Sequence, residues 1–126
     1  MRKLFMSVGL GIAILTSSFS LFAHHGTAAF DTTKMVTVKG TMTEFRYINP
    51  HVRLLFDVKN DKGEVEQWQA ELTAPTKLSR AGWDKDTLKV GDTITASGYI
   101  TKDGTHMMWI DKLIGSDGQN LKLHED

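Results

Sequence analysis

The sequence contains no cysteine among its 126 residues. A disulfide, a thiolate metal ligand, a thiol nucleophile and an acyl-anchoring cysteine are therefore all excluded. Proline is also scarce, with two residues. A folded domain of this chain must be stabilised by strand pairing and core packing.

Neither sign of charge is in excess, because 15 Lys and Arg balance 15 Asp and Glu. A near-neutral surface argues against binding nucleic acid through its phosphates. The nucleophile elbow Gly-x-Ser-x-Gly, a phosphate-binding glycine loop and a His-Glu-x-x-His helix are absent, so no catalytic residue is assigned. Glu44, Glu66 and Glu71 fall on predicted strands near residues such as Arg46, and we expect solvated cross-strand pairs from them.

The first 23 residues have the three parts of a secretory signal. Arg2 and Lys3 give a positive start, residues 4–15 an apolar run, and the small residue Ala23 precedes the expected cut. We predict cleavage after Ala23, export to the periplasm or the extracellular space, and no membrane span in the mature protein; cleavage after Ser20 or an uncleaved anchor are the alternatives. Because Arg2 and Lys3 leave with the signal, 13 basic side chains would remain against 15 acidic ones, a net charge of about −2.

The mature part shows the alternation of apolar and polar residues that is typical of half-buried β-strands. Turn residues divide it into five predicted strands, with one short helix between the third and the fourth. The strands are residues 35–47, 52–58, 65–72, 93–101 and 106–114, and the helix is residues 76–81.

This order of elements predicts an all-β fold with one short helix, an OB-fold-like five-stranded Greek-key barrel. Gly40 in the first strand is expected to mark a bend. A plain β-sandwich is the alternative, because alternation predicts strands better than their order. The domain would cover residues 35–118, between a flexible tail at 24–34 and a carboxy-terminal tail at 119–126.

Cleavage after Ala23 would leave His24 with a free α-amine, which can chelate a metal ion together with its imidazole. His51 and His106 lie in predicted loops that border the same face of an OB-fold, so we expect them near one another. A third nitrogen from either residue would complete the nitrogen-rich arrangement that Cu(II) prefers.

The candidate ligands of this site are His24, His25, His51, His106, Met107 and Met108. A methionine thioether would favour Cu(I), although alternation lets only one of the two methionines face outward. Zinc could be held by three histidines and Asp31, but a closed structural zinc site is less favoured without cysteine. Alternatively, these histidines are ordinary strand-end residues and Met107 packs in the core.

A second functional hypothesis needs no metal. The barrel face with Arg46, Tyr47, Arg53 and Trp68 could bind a peptide, a glycan or an envelope protein, as an adaptor module does. An oxidative copper enzyme is a third hypothesis, which would require a second site for substrate.

Several short motifs occur together in this chain. They are Ala-His-His at residues 23–25, Asn-Pro-His at 49–51, Arg-Ala-Gly-Trp at 80–83, Val-Gly-Asp at 90–92 and Asp-Gly at 103–104. The combination resembles a family of small exported bacterial proteins classed as a domain of unknown function, over nearly the whole mature chain. Where that family commonly has a serine after the histidine pair, this chain has Gly26. The resemblance implies export and one domain, and it brings no activity, cofactor or catalytic residue with it.

Overall fold

In a computed structural model of the protein, residues 29–125 are described. They form six strands and one short helix: β1 (Phe30–Arg46), β2 (Arg53–Lys59), β3 (Val65–Glu71), α1 (Pro75–Arg80), β4 (Thr93–Thr101), β5 (Met107–Ile114) and β6 (Asn120–Leu121). The prediction of a mostly-β protein with one short helix is confirmed. The predicted signal peptide and its cleavage site lie outside the described residues.

The strands form one sheet in the order β3-β2-β1-β4-β5-β6. These neighbours pair antiparallel, and β3 pairs in addition with β5 in the parallel direction. In the series β1, β2, β3, β5, β4, each strand therefore pairs with the next, and β4 pairs with β1. The length of β1 makes this circuit possible, because its first part pairs with β4 and its last residues pair with β2.

The strand β1 is irregular shortly after Gly40, the residue where the sequence predicts a bend. A Cβ atom at Gly40 would lie 2.6 Å from the carbonyl oxygen of Asp57, so the close approach of β2 requires glycine there. The register with β2 then shifts between Met42 and Glu44, which is the signature of a β-bulge. Met42 is buried before the shift, and Phe45 packs on the same core after it.

The core is built from alternate residues of the strands, closed by α1 at one end. Its largest fully buried apolar side chains are Phe56, Met42, Leu54, Leu72, Leu78, Ile94, Met108, Leu113 and Val52. Pro75 begins α1, where its missing N–H is not needed, and Gly82 follows the helix with a φ of +95°. Within residues 29–125, no helix is long and apolar enough to cross a membrane.

Both ends of the folded domain extend beyond the predicted bounds of 35–118. The strand β1 begins at Phe30, which is buried and pairs with Thr101 of β4. At the other end, β6 and the buried Leu123 lie in the predicted tail, and the indole N–H of Trp83 donates to the Lys122 carbonyl at 2.7 Å. Residues 30–34 and 120–123 therefore belong to the domain.

Candidate functional site

His51 lies in the loop between β1 and β2, with its imidazole against an indole. The ring meets that of Trp109 edge-on, with centroids 5.5 Å apart and an interplanar angle of 84°. The next residue, Val52, is fully buried, and its N–H and carbonyl are hydrogen-bonded to Thr73 and Leu72. His51 is therefore anchored beside Trp109, while 33 % of its side chain remains exposed.

Glu71, at the end of β3, is a buried acid that faces this imidazole. It is 1 % exposed, and its neighbours across the sheet are Arg53 on β2 and Trp109 on β5. The Nη2 atom of Arg53 lies 3.1 Å from Glu71 Oε1, and Nδ1 of His51 lies 3.5 Å from Glu71 Oε2. Because a buried carboxylate is costly unless it is paired, Arg53 and His51 are what make this position tolerable.

Phe30 brings the amino-terminal segment to the same indole. Its ring centroid lies 6.3 Å from that of Trp109, on a side chain that is almost fully buried. The backbone just before it is fixed as well, since the carbonyl of Ala29 accepts the N–H of Lys102 at 3.1 Å. The chain therefore enters the sheet beside Trp109, the residue that His51 also contacts. The candidate ligands His24 and His25 lie outside the described residues.

His106 occupies a different location, directly before β5. Its ring stacks flat on Trp68, with centroids 4.8 Å apart and an interplanar angle of 6°. Its Nε2 lies 3.5 Å from Oε2 of Glu66. Hydrogen bonds donated by Asn60 and by the Trp68 indole hold the pKa of Glu66 below its ordinary value. His106 thus contacts the carboxylate of Glu66 and the indole of Trp68.

The two imidazoles are held by different carboxyl groups of one strand. Glu66 and Glu71 are five residues apart on β3, which is roughly 16 Å along an extended strand. In the described part of the chain, no group of three or more His, Cys, Asp or Glu side chains could hold a metal ion. His51 and His106 therefore contact separate carboxyl groups, Glu71 and Glu66, and do not form one group of metal ligands with them.

The remaining candidate metal donors differ in how deeply they are buried and in their contacts. Met108 is fully buried in the core, which removes it from the ligand set. Met107 is half-buried and lines an open cavity of about 570 Å³ together with His106. The carboxylate of Asp31 accepts hydrogen bonds from the hydroxyl and the N–H of Thr33, which lower its pKa. The carboxylate of Asp31 is thus engaged with a neighbouring residue of β1.

Two of the four residues predicted to bind a partner face inward. Trp68 is 8 % exposed and lies between Phe56 and His106. The hydroxyl of Tyr47 lies 2.9 Å from the carbonyl oxygen of Pro75 and 3.3 Å from that of Trp83, and burial raises its pKa. These contacts give both side chains structural roles.

The two predicted partner-binding arginines both pair with glutamates of the chain. Arg46 and Glu44 form an exposed ion pair with Nε and Oε1 2.7 Å apart, and the hydrogen bonds between them lower the pKa of Glu44. The pair is solvated as expected, but both residues lie on β1, so it is not the expected cross-strand pair. Glu71 does pair across strands with Arg53, but the expectation that it is solvated is wrong, because its carboxyl group is buried.

The Tyr47 contacts predict a stability effect. Replacing Tyr47 with Phe should lower the free energy of unfolding by about 1 kcal/mol, because one donor to two part-buried carbonyl groups is lost. Urea denaturation followed by tryptophan fluorescence measures it. Tyr99→Phe is the matched control, since the Tyr99 hydroxyl makes no hydrogen bond within residues 29–125. Equal stabilities of the two variants would contradict the assignment.

Glu71, Trp109 and Phe30 join His51 in one cluster that no sequence motif singles out. Part of the cluster could be found from the sequence, because the turn at residues 60–64 between β2 and β3 sets the pairing of Arg53 with Glu71. The contribution of β5 depends on its parallel pairing with β3 and is not visible in any local pattern.

Comparison with known protein families identifies the family of this chain. No curated protein matches the sequence. A family whose description reads "Family of unknown function (DUF6152)" matches residues 13–108. Because this match spans well over half of the chain, the protein belongs to the DUF6152 family.

Proposed function

We propose that the protein is an exported, periplasmic copper-binding protein whose site combines the α-amine and imidazole of His24 with the imidazole of His51. One observation carries this proposal: Phe30 and His51 pack on the same indole, that of Trp109. The segment that would carry the terminal histidine thus enters the sheet beside a loop histidine that is anchored and partly exposed.

The fold proposed for this function is the OB-type five-stranded Greek-key barrel. The circuit of pairings through β1, β2, β3, β5 and β4 supports it, as does the single helix between β3 and β4. In such a barrel, loops at one end border a common binding face, and functional side chains are carried there. The signal-like residues 1–23 support export.

The length of the terminal segment is compatible with the proposed site. Six residue steps separate His24 from Phe30, and an extended chain covers roughly 20 Å over that distance. Because Phe30 and His51 share one indole, the α-amine needs only part of this length to reach the imidazole. His25 is the neighbouring donor and could replace or supplement the ring of His24.

The donor types favour copper over other metals. An amine and two imidazoles form a nitrogen-rich set, which suits the tetragonal geometry of Cu(II). Zinc sites of the structural kind use four protein ligands and often cysteine, which this chain lacks. His106 and Met107 line the open cavity at the other end of β3 and are not part of the proposed set.

The test is copper binding by protein that was exported with its own signal. Purified from a bacterial periplasm, it should have the mass of residues 24–126 and bind one Cu(II), with nitrogen hyperfine coupling in the electron paramagnetic resonance spectrum. Chain made in the cytosol, with an initiator methionine before His24, should bind at least about tenfold more weakly, because the amine no longer closes a ring with that imidazole.

Two results would contradict the proposal. Exported material that begins at another residue, or that neither contains nor takes up copper, would exclude the terminal chelate. Equal copper affinity of the exported and methionine-extended proteins would show that the α-amine is not a ligand. Zn(II) titration of the same samples serves as the control for unspecific binding to histidine.

The adaptor hypothesis stays a prediction. The open cavity of about 570 Å³ beside His106 is the feature that favours it, since Gln67 and Gln69 offer amide groups there. Against it, Trp68 and Tyr47 are engaged within the domain. The oxidative enzyme hypothesis also stays a prediction.

A further inference from the structure

We propose that Glu71 is the positioning residue of the copper site: its buried carboxylate accepts the Nδ1 proton of His51, so that Nε2 of that ring is the atom free to bind the metal. This inference rests on the proposed copper-binding function and adds to it a specific nitrogen, a specific tautomer and the residue that sets both.

The two oxygens of Glu71 have different partners. Oε1 lies 3.1 Å from the guanidinium of Arg53. Oε2 is buried and has no hydrogen-bond partner within the described residues, yet Nδ1 of His51 lies 3.5 Å away. A buried acceptor without a partner is rare in folded proteins and calls for an explanation. An N–H donated by His51, after a small shortening of this distance, provides one.

The charges of the cluster suit a neutral imidazole. Arg53 already supplies the positive charge that a buried carboxylate requires, so His51 need not be protonated on both nitrogens. A neutral imidazole has one N–H and one lone pair. If the proton is on Nδ1 and points to Glu71, the lone pair is on Nε2, which is the form that binds a metal ion.

The surroundings of the ring fix its orientation. The edge-on contact with Trp109 restricts rotation of the imidazole, and Glu71 lies on its buried side. A carboxylate behind a ligating histidine sets the tautomer and increases the basicity of the ligand, and its removal commonly lowers metal affinity 10-fold to 100-fold. The cluster has the parts that this arrangement needs.

His106 provides an internal comparison. It too has an aromatic wall and a glutamate at 3.5 Å, but there the nitrogen that faces the acid is Nε2 and not Nδ1. Glu66 also accepts hydrogen bonds from Asn60 and Trp68, so it is not left with an unpartnered buried oxygen. Glu66→Gln is therefore a matched control that alters a histidine-carboxylate contact outside the proposed site.

The first experiment uses the exported wild-type protein without metal. Nitrogen-15 spectra of the histidine rings, recorded above the pH at which imidazole is protonated, should show His51 with its proton on Nδ1. A proton on Nε2 in this protein overturns the inference. The measurement needs no substitution, so it decides even if variants of Glu71 do not fold.

The second experiment compares Glu71→Gln with Glu66→Gln. The glutamine at 71 has one acceptor for two donors and can offer its own N–H to Nδ1, which favours the wrong tautomer of His51. We expect Cu(II) affinity to fall about 10-fold to 100-fold in this variant and to stay unchanged in Glu66→Gln. Glu71→Asp should restore part of the affinity, and circular dichroism checks that each variant is folded.

The outcomes separate this inference from the copper proposal. If wild-type protein binds no Cu(II), the proposed function fails and the inference with it. If wild-type protein binds Cu(II) and folded Glu71→Gln binds equally well, with the same nitrogen hyperfine coupling, only the role of Glu71 is overturned. A change of His51 tautomer together with weaker binding supports the inference, because a merely structural role would not change the tautomer.

Discussion

Replacing His51 with alanine is expected to lower the Cu(II) affinity of the exported protein by more than about 100-fold, the upper end of what an outer-shell change costs. On the free-energy scale this is roughly 3 kcal/mol. The expectation follows from the donor set, since His51 is a proposed ligand that the described domain anchors, through its contact with Trp109. Without it, Cu(II) is left with the donors of the terminal segment. Competition against a chelator of known affinity, with electron paramagnetic resonance of each sample, measures the change.

His106→Ala is the matched control for this experiment. The residue is also partly exposed and also lies against a tryptophan and a glutamate, yet it is not in the proposed set. We expect its copper affinity to equal that of the wild type. Loss of copper in His106→Ala with full binding in His51→Ala would reverse the assignment and move the site to the cavity at the other end of β3.

The strands that the sequence predicts best are those with regular alternation and clear turns. β4 has the predicted bounds of 93–101, because Ile94 and Ala96 alternate with polar residues between two turns. The helix also follows from local chemistry, through Pro75 at its start and Gly82 after its end. Where a residue's conformation is decided by its neighbours in sequence, the pattern is sufficient.

The parts that the sequence does not predict depend on distant partners. Residues 31–34 are polar and show no alternation, but they continue β1 because Phe30 is held against Trp109 and Thr101. β6 has only two residues and exists through its pairing with the end of β5. No local pattern carries such information.

The residues of the candidate site also differ in whether the sequence predicts them. His51 can be selected from the sequence because the Asn-Pro-His loop breaks a strand pattern and places a titratable side chain at its edge. Glu71 cannot, because it lies on the polar side of an alternating strand, where acids are usually solvated. Its burial arises from Arg53 on one neighbouring strand and Trp109 on the other, together with His51. Only the assembled sheet brings these groups together.

Replacing Gly98 with alanine should destabilise the domain by about 3 kcal/mol, at the upper end of what overpacking costs. An added Cβ would clash with the carbonyl oxygen of Trp109 and lie 3.0 Å from Cα of Ile110, and both are backbone atoms that no side-chain rotation can move. The register of β4 and β5 also shifts between Ser97 and Gly98. β5 must therefore move away from β4 at the residue that supports His51.

The displacement of β5 in Gly98→Ala should also affect the proposed copper site. Since Trp109 contacts both His51 and Phe30, a shift of its backbone should weaken Cu(II) binding in the fraction of protein that still folds. Gly115→Ala is the matched control, because the nearest atom to its added Cβ would be the end of the Asp117 side chain at 3.3 Å, and its backbone neighbour, the Gln119 carbonyl oxygen, would lie 4.0 Å away. Urea denaturation and copper titration of both variants test the prediction. If Gly98→Ala is as stable as the wild type, β4 and β5 are not as close as this contact requires. If Gly98→Ala is destabilised but binds copper with wild-type affinity, the Trp109 indole does not contribute to the metal site.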